Sequence, residues 1–224
     1  FRDTEFTKDQ IKNALDLYPK LDYPVLDISI IPTIILSKSV SKKIRVILSG
    51  DGADELFFGY PRIYHAFWRF ILLSFLPFKI REYISKFFEK NSKIRKYLEI
   101  KTPLSIRMIL LGIDKNNSHS WGYKNNFCSI FKSLNDYEIN YYLPSILEKV
   151  DAASMLSSLE VRVPYLSNNI VEYLEEVSIW NFILRRTAKF HLRKLLSFNT
   201  NKNYAFSPKK GFSFYKKDQL NVII

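Results

Sequence analysis

Apolar residues recur at helical spacing along most of this chain, and one short extended run, Ile44 to Leu48, breaks the pattern. Thr7-Lys8-Asp9-Gln10 opens the first periodic stretch, with Ile11, Ala14, Leu15 and Tyr18 on one side. Thr7 is the expected N-cap, and Pro19 ends the helix. Pro24 to Ser29 reads as an extended linker in which Asp27 or Ser29 caps the next helix. That helix, Ile30 to Ser41, repeats Ile and Leu so densely that burial is expected, with Pro32 in its first turn. Beyond Tyr60, residues 61–111 alternate apolar stripes with Lys and Arg, and Pro77 and Pro103 divide them into separate helices. This block is the predicted helical insertion. Its apolar run Phe70 to Phe78 is too short to span a bilayer, and a buried helix is the expectation, with an interfacial role as the alternative. Asp114 to Asn126 reads as a surface loop. Asp136 to Met155, Asn168 to Val177 and Thr187 to Leu196 return to helical spacing.

Composition changes this picture little. The chain has 224 residues, 47% of them hydrophobic, which suits a folded core and argues against global disorder. The net charge of +12 fits an anionic partner such as a nucleotide, and fits equally a Lys-, Asn- and Ile-rich composition set by an A/T-rich genome. The basic residues are scattered without a long block, so no nucleic-acid arm is expected. Cys128 is the single cysteine, which excludes an internal disulfide framework and points to a reducing, cytoplasmic setting. Ser118-His119 invites a hydrolase reading, but the chain contains no Gly-x-Ser-x-Gly elbow.

Chemistry concentrates where the extended run ends, in Ser49-Gly50-Asp51-Gly52-Ala53-Asp54-Glu55. Strand, glycine turn, helix is how an open parallel sheet builds a ligand site at its carboxyl edge. Gly50 and Gly52 permit close approach of a ligand, and with Ser49 they are the candidate cofactor-binding positions. Carboxylates in such a turn suit Mg2+, which takes one or two of them and completes its shell with substrate phosphates. Asp54, where the turn meets the helix, is the candidate metal ligand, and Asp51 is the candidate base or orienting group. A second unusual stretch, Leu159 to Leu166, embeds Glu160 and Arg162 in an apolar run. Two apart in an extended segment, they share one face, either as an internal ion pair or as a charged cluster facing a cleft. The basic glycine turn Ser207 to Phe212 suits a phosphate-reaching lysine, or is a basic tail.

Ser49-Gly50-Asp51-Gly52-Ala53-Asp54-Glu55-Leu56-Phe57 with Gly59-Tyr60 closely resembles the synthetase domain of the glutamine-hydrolysing asparagine synthetases. Lys149-Val150-Asp151, Ala153-Ser154-Met155 and Leu159 to Leu166 resemble that family's second signature. Lys189 with Leu192-Arg193, and Lys209-Lys210-Gly211-Phe212, are similar to its two C-terminal motifs. The four blocks lie in the family's order across nearly the whole chain.

The resemblance implies an α/β fold, a Rossmann-type adenine nucleotide alpha-hydrolase-like (ATP-pyrophosphatase) domain, incomplete and largely helical in this segment. It implies ATP and Mg2+ as cofactors, aspartate or a related carboxylate as substrate, and ammonia drawn from glutamine. ATP would activate the carboxylate as a β-aspartyl-adenylate, and ammonia would displace AMP. Asp54 matches the Mg2+-binding aspartate, Asp51 the contact to the substrate amino group or intermediate, and Glu160 an acid near the reacting centre. Lys209, or Lys210 if the turn shifts by one, matches the lysine that stabilises adenylation, and Asp27 and Ser29 match a weaker substrate-lining motif. Four positions depart from the family pattern: Phe58 replaces a glycine, Ala152 and Ser207 replace arginines, and Ser167 replaces an aspartate. The phosphate-binding Ser-Gly-Gly-x-Asp-Ser loop and the N-terminal glutaminase domain are not in these 224 residues. The expectation is a partial synthetase domain over 1–224, inactive alone, whose other half is supplied in cis or in trans, and which is able to form a homodimer. The alternatives are a degenerate, non-catalytic binding or scaffold homologue, or an amidotransferase or cyclase acting on another carboxylate.

Overall fold

The structure is a computed structural model that describes residues 6–21, 25, 27–90, 92–110, 126–185 and 187–208. The predicted loop 114–126, apart from Asn126, and the basic turn from Lys209 onward lie outside the described residues. In chain order the elements are α1 (Lys8–Leu17), α2 (Ile30–Val40), β1 (Val46–Leu48), α3 (Ala53–Leu56), α4 (Pro61–Ser74), α5 (Phe78–Ser85), α6 (Lys93–Leu98) and α7 (Pro103–Leu110). They continue with α8 (Phe127–Tyr137), α9 (Leu143–Met155), β2 (Glu160–Arg162), α10 (Asn168–Glu176), α11 (Trp180–Ile183), α12 (Phe190–Asn199) and α13 (Lys202–Ala205). A π-helical segment, Glu138–Tyr142, joins α8 to α9 along the chain. The described residues divide into two compact units.

The first unit holds the described residues up to Asp51 together with Leu143–Ser167. Its α1 starts as the sequence predicts: Thr7 Oγ1 accepts from the Gln10 amide at 3.2 Å, and Gln10 Oε1 accepts from the Thr7 amide at 2.8 Å. Such a reciprocal cap contributes about 1 kcal/mol. Ile11 and Ala14 of α1 pack with Ile30, Ile31, Ile34 and Ile35 of α2 and with Ala153 of α9, so the isoleucine-rich helix is buried as expected. β1 and β2 pair in parallel, Val46 opposite Glu160, Ile47 opposite Val161 and Leu48 opposite Arg162. The strand is shorter than the apolar run suggests. It is also more open, with Leu48 73% exposed, whereas parallel strands are ordinarily covered on both faces.

The second unit comprises Gly52–Tyr142 and Asn168–Ala205, where described. Its core gathers Ile63, Phe67 and Phe70 of α4, Ile106 of α7, and Phe131 and Leu134 of α8. Residues 61–110 form four helices; Pro77 and Pro103 mark two of the three breaks, as predicted, and the break between α5 and α6 falls where the sequence has no proline. The Phe70–Phe78 run departs from the expected buried helix. α4 ends at Ser74, and although Phe70 is buried, Leu72 and Phe75 are 67% and 77% exposed. A helix that is apolar on every side cannot turn all of them toward one core.

Phe58 adopts a left-handed backbone, φ 52°. That conformation costs a non-glycine residue roughly 1–2 kcal/mol, which accounts physically for a glycine at this position in related sequences. Here the ring offsets the strain by stacking on Phe131, with centroids 4.9 Å apart, and on Phe182 at 4.5 Å. Phe58→Ala is expected to cost about 3–5 kcal/mol. Phe58→Gly loses the same ring but relieves the backbone, so urea unfolding should find it the more stable of the two by about 1 kcal/mol. The reverse order would refute the strain.

One charged cluster was invisible in the periodicity. Glu138, fully buried, receives Arg107 Nε and Nη2 at 2.8 and 2.9 Å, and Arg62 Nε and Nη2 at 3.0 and 2.7 Å. Burial alone would raise its carboxyl, but the hydrogen bonds and charges of the two arginines hold it below the usual range.

Candidate functional site

In the first unit, Asp27 and Ser29 precede α2 and meet Lys149 of α9. Lys149 Nζ donates to Asp27 Oδ2 at 2.8 Å and to Ser29 Oγ at 2.7 Å, while Asp27 Oδ1 accepts from the Ser29 amide at 2.9 Å. Ser29 is the N-cap of α2 without a capping side-chain bond; Asp27 closes a turn onto the Ser29 amide, and the Ser29 hydroxyl serves the lysine instead. Burial tends to raise the Asp27 carboxyl, but the Lys149 hydrogen bond and those from Ser29 outweigh it and hold it below the usual range.

At the carboxyl end of β1, the Ser49 amide continues the sheet pairing, donating to the Arg162 carbonyl at 2.8 Å. Its hydroxyl donates to Asp51 Oδ2, which fixes that carboxylate at the mouth of the turn. On β2, Glu160 accepts from Arg162 Nε at 2.7 Å, with both side chains more than half exposed. Of the two readings of that stretch, the internal ion pair is the one present, and it stands in solvent rather than in the core.

In the second unit, Gly52 (φ 84°) precedes α3 in a left-handed conformation open to glycine. Asp54 and Glu55 fall in the first turn of α3. Asp54 Oδ1 pairs with Lys189 Nζ at 3.1 Å; Lys189 itself sits at φ 54°, just before α12. Gly59 is pressed against the same aspartate, its amide donating to the Asp54 carbonyl at 2.6 Å. Glu55 is buried and accepts from the Tyr60 hydroxyl. Burial pushes the Glu55 carboxyl above its usual range, and the Tyr60 hydrogen bond offsets only part of that. Burial, then the hydrogen bond to Glu55, drives the Tyr60 phenol far above its own. The Tyr60 ring lies under the Arg62 guanidinium at 3.8 Å, so the acidic turn is linked through Tyr60 and Arg62 to buried Glu138.

Asp54 offers a hard oxygen donor at a helix start. Among the described residues no group of three His, Cys, Asp or Glu side chains gathers to hold a metal ion. A lone carboxylate of this kind would suit a metal such as Mg2+ only where phosphate oxygens fill most of its shell. It does not fit a metal caged by protein alone.

The model of the asparagine synthase family matches residues 2–221. This chain belongs to the asparagine synthase family. It is 28% identical over 185 residues to glutamine-hydrolyzing asparagine synthetase 1 of Bacillus subtilis (strain 168), a match covering 70% of this chain and 28% of that protein. It is 26% identical over 151 residues to glutamine-hydrolyzing asparagine synthetase 3 of the same organism, covering 64% and 21%. The chain spans under a third of the length of the curated relatives it matches. No solved structure matches it. The asparagine synthase domain belongs to the adenine nucleotide alpha-hydrolase-like fold, and the described residues are mostly helical, with one parallel strand pair among them.

Within each unit, side chains from separate asparagine synthase blocks pair directly. The acidic turn meets the third block through Asp54 and Lys189, and the second block meets the weaker motif through Lys149, Asp27 and Ser29. The sequence marked both lysines as motif residues but gave neither a role, because a lysine in an amphipathic helix reads as solvated surface. The Glu55–Tyr60 bond was missed for a similar reason: nothing in the spacing distinguishes a buried acid in a turn from an exposed one. Lys209 and Lys210 lie outside the described residues.

Proposed function

We propose that this chain is the synthetase portion of an ATP-dependent, amide-forming ligase that converts aspartate and glutamine-derived ammonia to asparagine, AMP and pyrophosphate. The observation that carries the reading is the pairing of family motif residues inside each unit, Asp54 with Lys189 and Lys149 with Asp27 and Ser29. This charge matching supports a retained site over a chain that merely kept the fold.

In this reading Asp54 supplies a carboxylate oxygen to Mg2+, which when bound neutralises the phosphates of ATP. Lys189 balances the Asp54 charge before the nucleotide arrives. Ser49, Gly50 and Gly52 let the nucleotide approach the turn closely. Asp51, oriented by the Ser49 hydroxyl, contacts the substrate amino group, and Asp27 and Ser29, held by Lys149, line the substrate side. Glu160, paired with Arg162 in solvent, stands near the reacting carboxyl. Lys209 stabilises negative charge as pyrophosphate departs. Atoms balance as in any adenylation: the carboxylate oxygen bonds to the α-phosphorus, pyrophosphate leaves, and ammonia then displaces AMP.

The test is AMP formation from ATP, aspartate and ammonia by the full-length protein that contains this chain. Asp54→Asn should lower the rate about a hundredfold to a thousandfold. A rate within twofold of the unaltered protein would overturn the role of Asp54. AMP formation with another carboxylate and none with aspartate would overturn the substrate.

A further inference from the structure

α5 buries two polar side chains, with Phe78 and Ile84 half-buried on the same side. Arg81 and Ser85 are 6% and 1% exposed, whereas Ile80 and Tyr83 on the opposite side are 49% and 64% exposed, and Phe87, one turn on, is 74% exposed. Positions 80, 83 and 87 fall in one stripe of a helix surface. This orientation is fixed by hydrogen bonds. Arg81 donates to the carbonyls of Leu76 at 3.1 Å and Ile100 at 2.9 Å, and the Ser85 hydroxyl donates out of the helix to Glu99 Oε1 at 3.3 Å. Rotating α5 to hide its apolar stripe would strip these bonds from a buried guanidinium, which is costly. The apolar stripe is therefore a permanent feature of the surface.

The surface continues beyond α5. Leu72 and Phe75, at the end of α4, are exposed, and an apolar cleft of about 370 Å³ lies beside Phe75, between α4 and α8. Basic groups frame it. Residues 70–101 carry eight Lys and Arg against three Glu. Both arginines are engaged, Arg81 as above and Arg95 with Glu99 and the Phe88 carbonyl, so the outward cationic charge belongs to lysines: Lys79, Lys86, Lys90 and Lys93 are exposed, against exposed Glu82 and Glu89.

We propose that the exposed side of the α4–α5 corner docks on an anionic lipid bilayer surface. An outward apolar stripe with aromatic rings, bordered by lysines whose stems lie along apolar surface and whose heads reach phosphate, is the chemistry of an interfacial helix. Tyr83 and Phe87, in edge contact at 5.6 Å between centroids, supply the aromatic body such helices place at headgroup level. The contact is peripheral. No single helix among the described residues is long and apolar enough to cross a membrane, and α4 and α5 meet at a 97° bend. A second copy of the chain is a poorer occupant, because a two-fold contact sets the same patch against itself and would bring the lysines of both copies together.

The experiment is cosedimentation of the full chain with vesicles of phosphatidylcholine alone and of phosphatidylcholine mixed with an anionic phospholipid, with sedimentation velocity on the same samples. Binding to the anionic vesicles is expected to exceed binding to the neutral ones and to fall as salt rises. F75S/F87S and, separately, K79Q/K86Q/K90Q should each weaken it about tenfold or more. All five side chains are exposed, so circular dichroism and the unfolding midpoint should be unchanged. Failure to bind anionic vesicles, binding that survives both variants, or self-association that F75S/F87S abolishes without any vesicle binding would each overturn the proposal. None of these outcomes depends on the ligase activity.

Discussion

Replacing Glu138 with alanine is expected to destabilise the unit that holds it by about 3–5 kcal/mol. The carboxylate is fully buried and takes four hydrogen bonds, two each from Arg62 and Arg107. Arg107 is 1% exposed, so removing its partner leaves a cation in the core with no counter-charge. Arg62 is 22% exposed and can turn toward water, whereas Arg107, which also lies over a ring (Tyr137, at 4.0 Å), cannot. The larger part of the loss should therefore come from Arg107. Urea unfolding of Glu138→Ala measures it, and a loss below about 1 kcal/mol would show that water or relaxation compensates the guanidinium. The pH dependence has a definite sign. The folded carboxyl lies below its ordinary value, so its contribution is complete above the unfolded glutamate range, about pH 4.3, and disappears as pH falls through the depressed value. Glu138→Gln should therefore lie well below the unaltered protein in stability at neutral pH and approach it in acid.

The effect of Glu138 also extends toward the candidate site, because Arg62 lies on the Tyr60 ring whose hydroxyl is bonded to Glu55. This chain of contacts marks what the sequence could and could not reveal. Local features were legible: Thr7 before Gln10 announces a cap, the density of isoleucine in α2 announces burial, and Pro77 and Pro103 announce breaks. The acidic turn was legible as chemistry because glycines and carboxylates rarely crowd the end of an apolar strand without a ligand. Long-range pairings were not. Glu138 sits in a run whose period places it like any solvated acid, and only the approach of α4 and α7 makes it the centre of a core. The inward face of α5 was hidden for the opposite reason, since the rule that apolar residues turn inward fails where Arg81 satisfies three carbonyls and the lysines are left outside. The short reach of β1 depended on its partner β2, more than a hundred residues further along, which no local spacing specifies.

Gly59→Ala is expected to damage the candidate site far more than Gly50→Ala. A Cβ there would stand 1.9 Å from Asp54 Oδ1 and 2.7 Å from Asp54 Cα. The first contact could be relieved by swinging the carboxylate away, which would move the proposed Mg2+ ligand and break its pairing with Lys189. The second is with backbone, and the 2.6 Å hydrogen bond from the Gly59 amide to the Asp54 carbonyl holds the two chains together. Neither route leaves Asp54 in place. Gly59 is not among the positive-φ residues, so the penalty is one of contact rather than of backbone conformation. Overpacking of this kind costs about 1–3 kcal/mol, and misplacing a reacting group by about an ångström costs about a hundredfold in rate. Thermal unfolding should therefore show a moderate loss, while AMP formation by the full-length protein falls about a hundredfold or more. Gly50→Ala provides the stability control, because a Cβ at Gly50 meets nothing within 4 Å and should leave the unfolding midpoint unchanged. A double-mutant cycle separates the two contacts: in an Asp54→Ala background the Oδ1 clash is gone and the Cα clash persists. Gly59→Ala should then still destabilise, by less than in the unaltered protein. If it destabilises equally in both backgrounds, the carboxylate is not what Gly59 accommodates, and the placement of Asp54 by Gly59 fails.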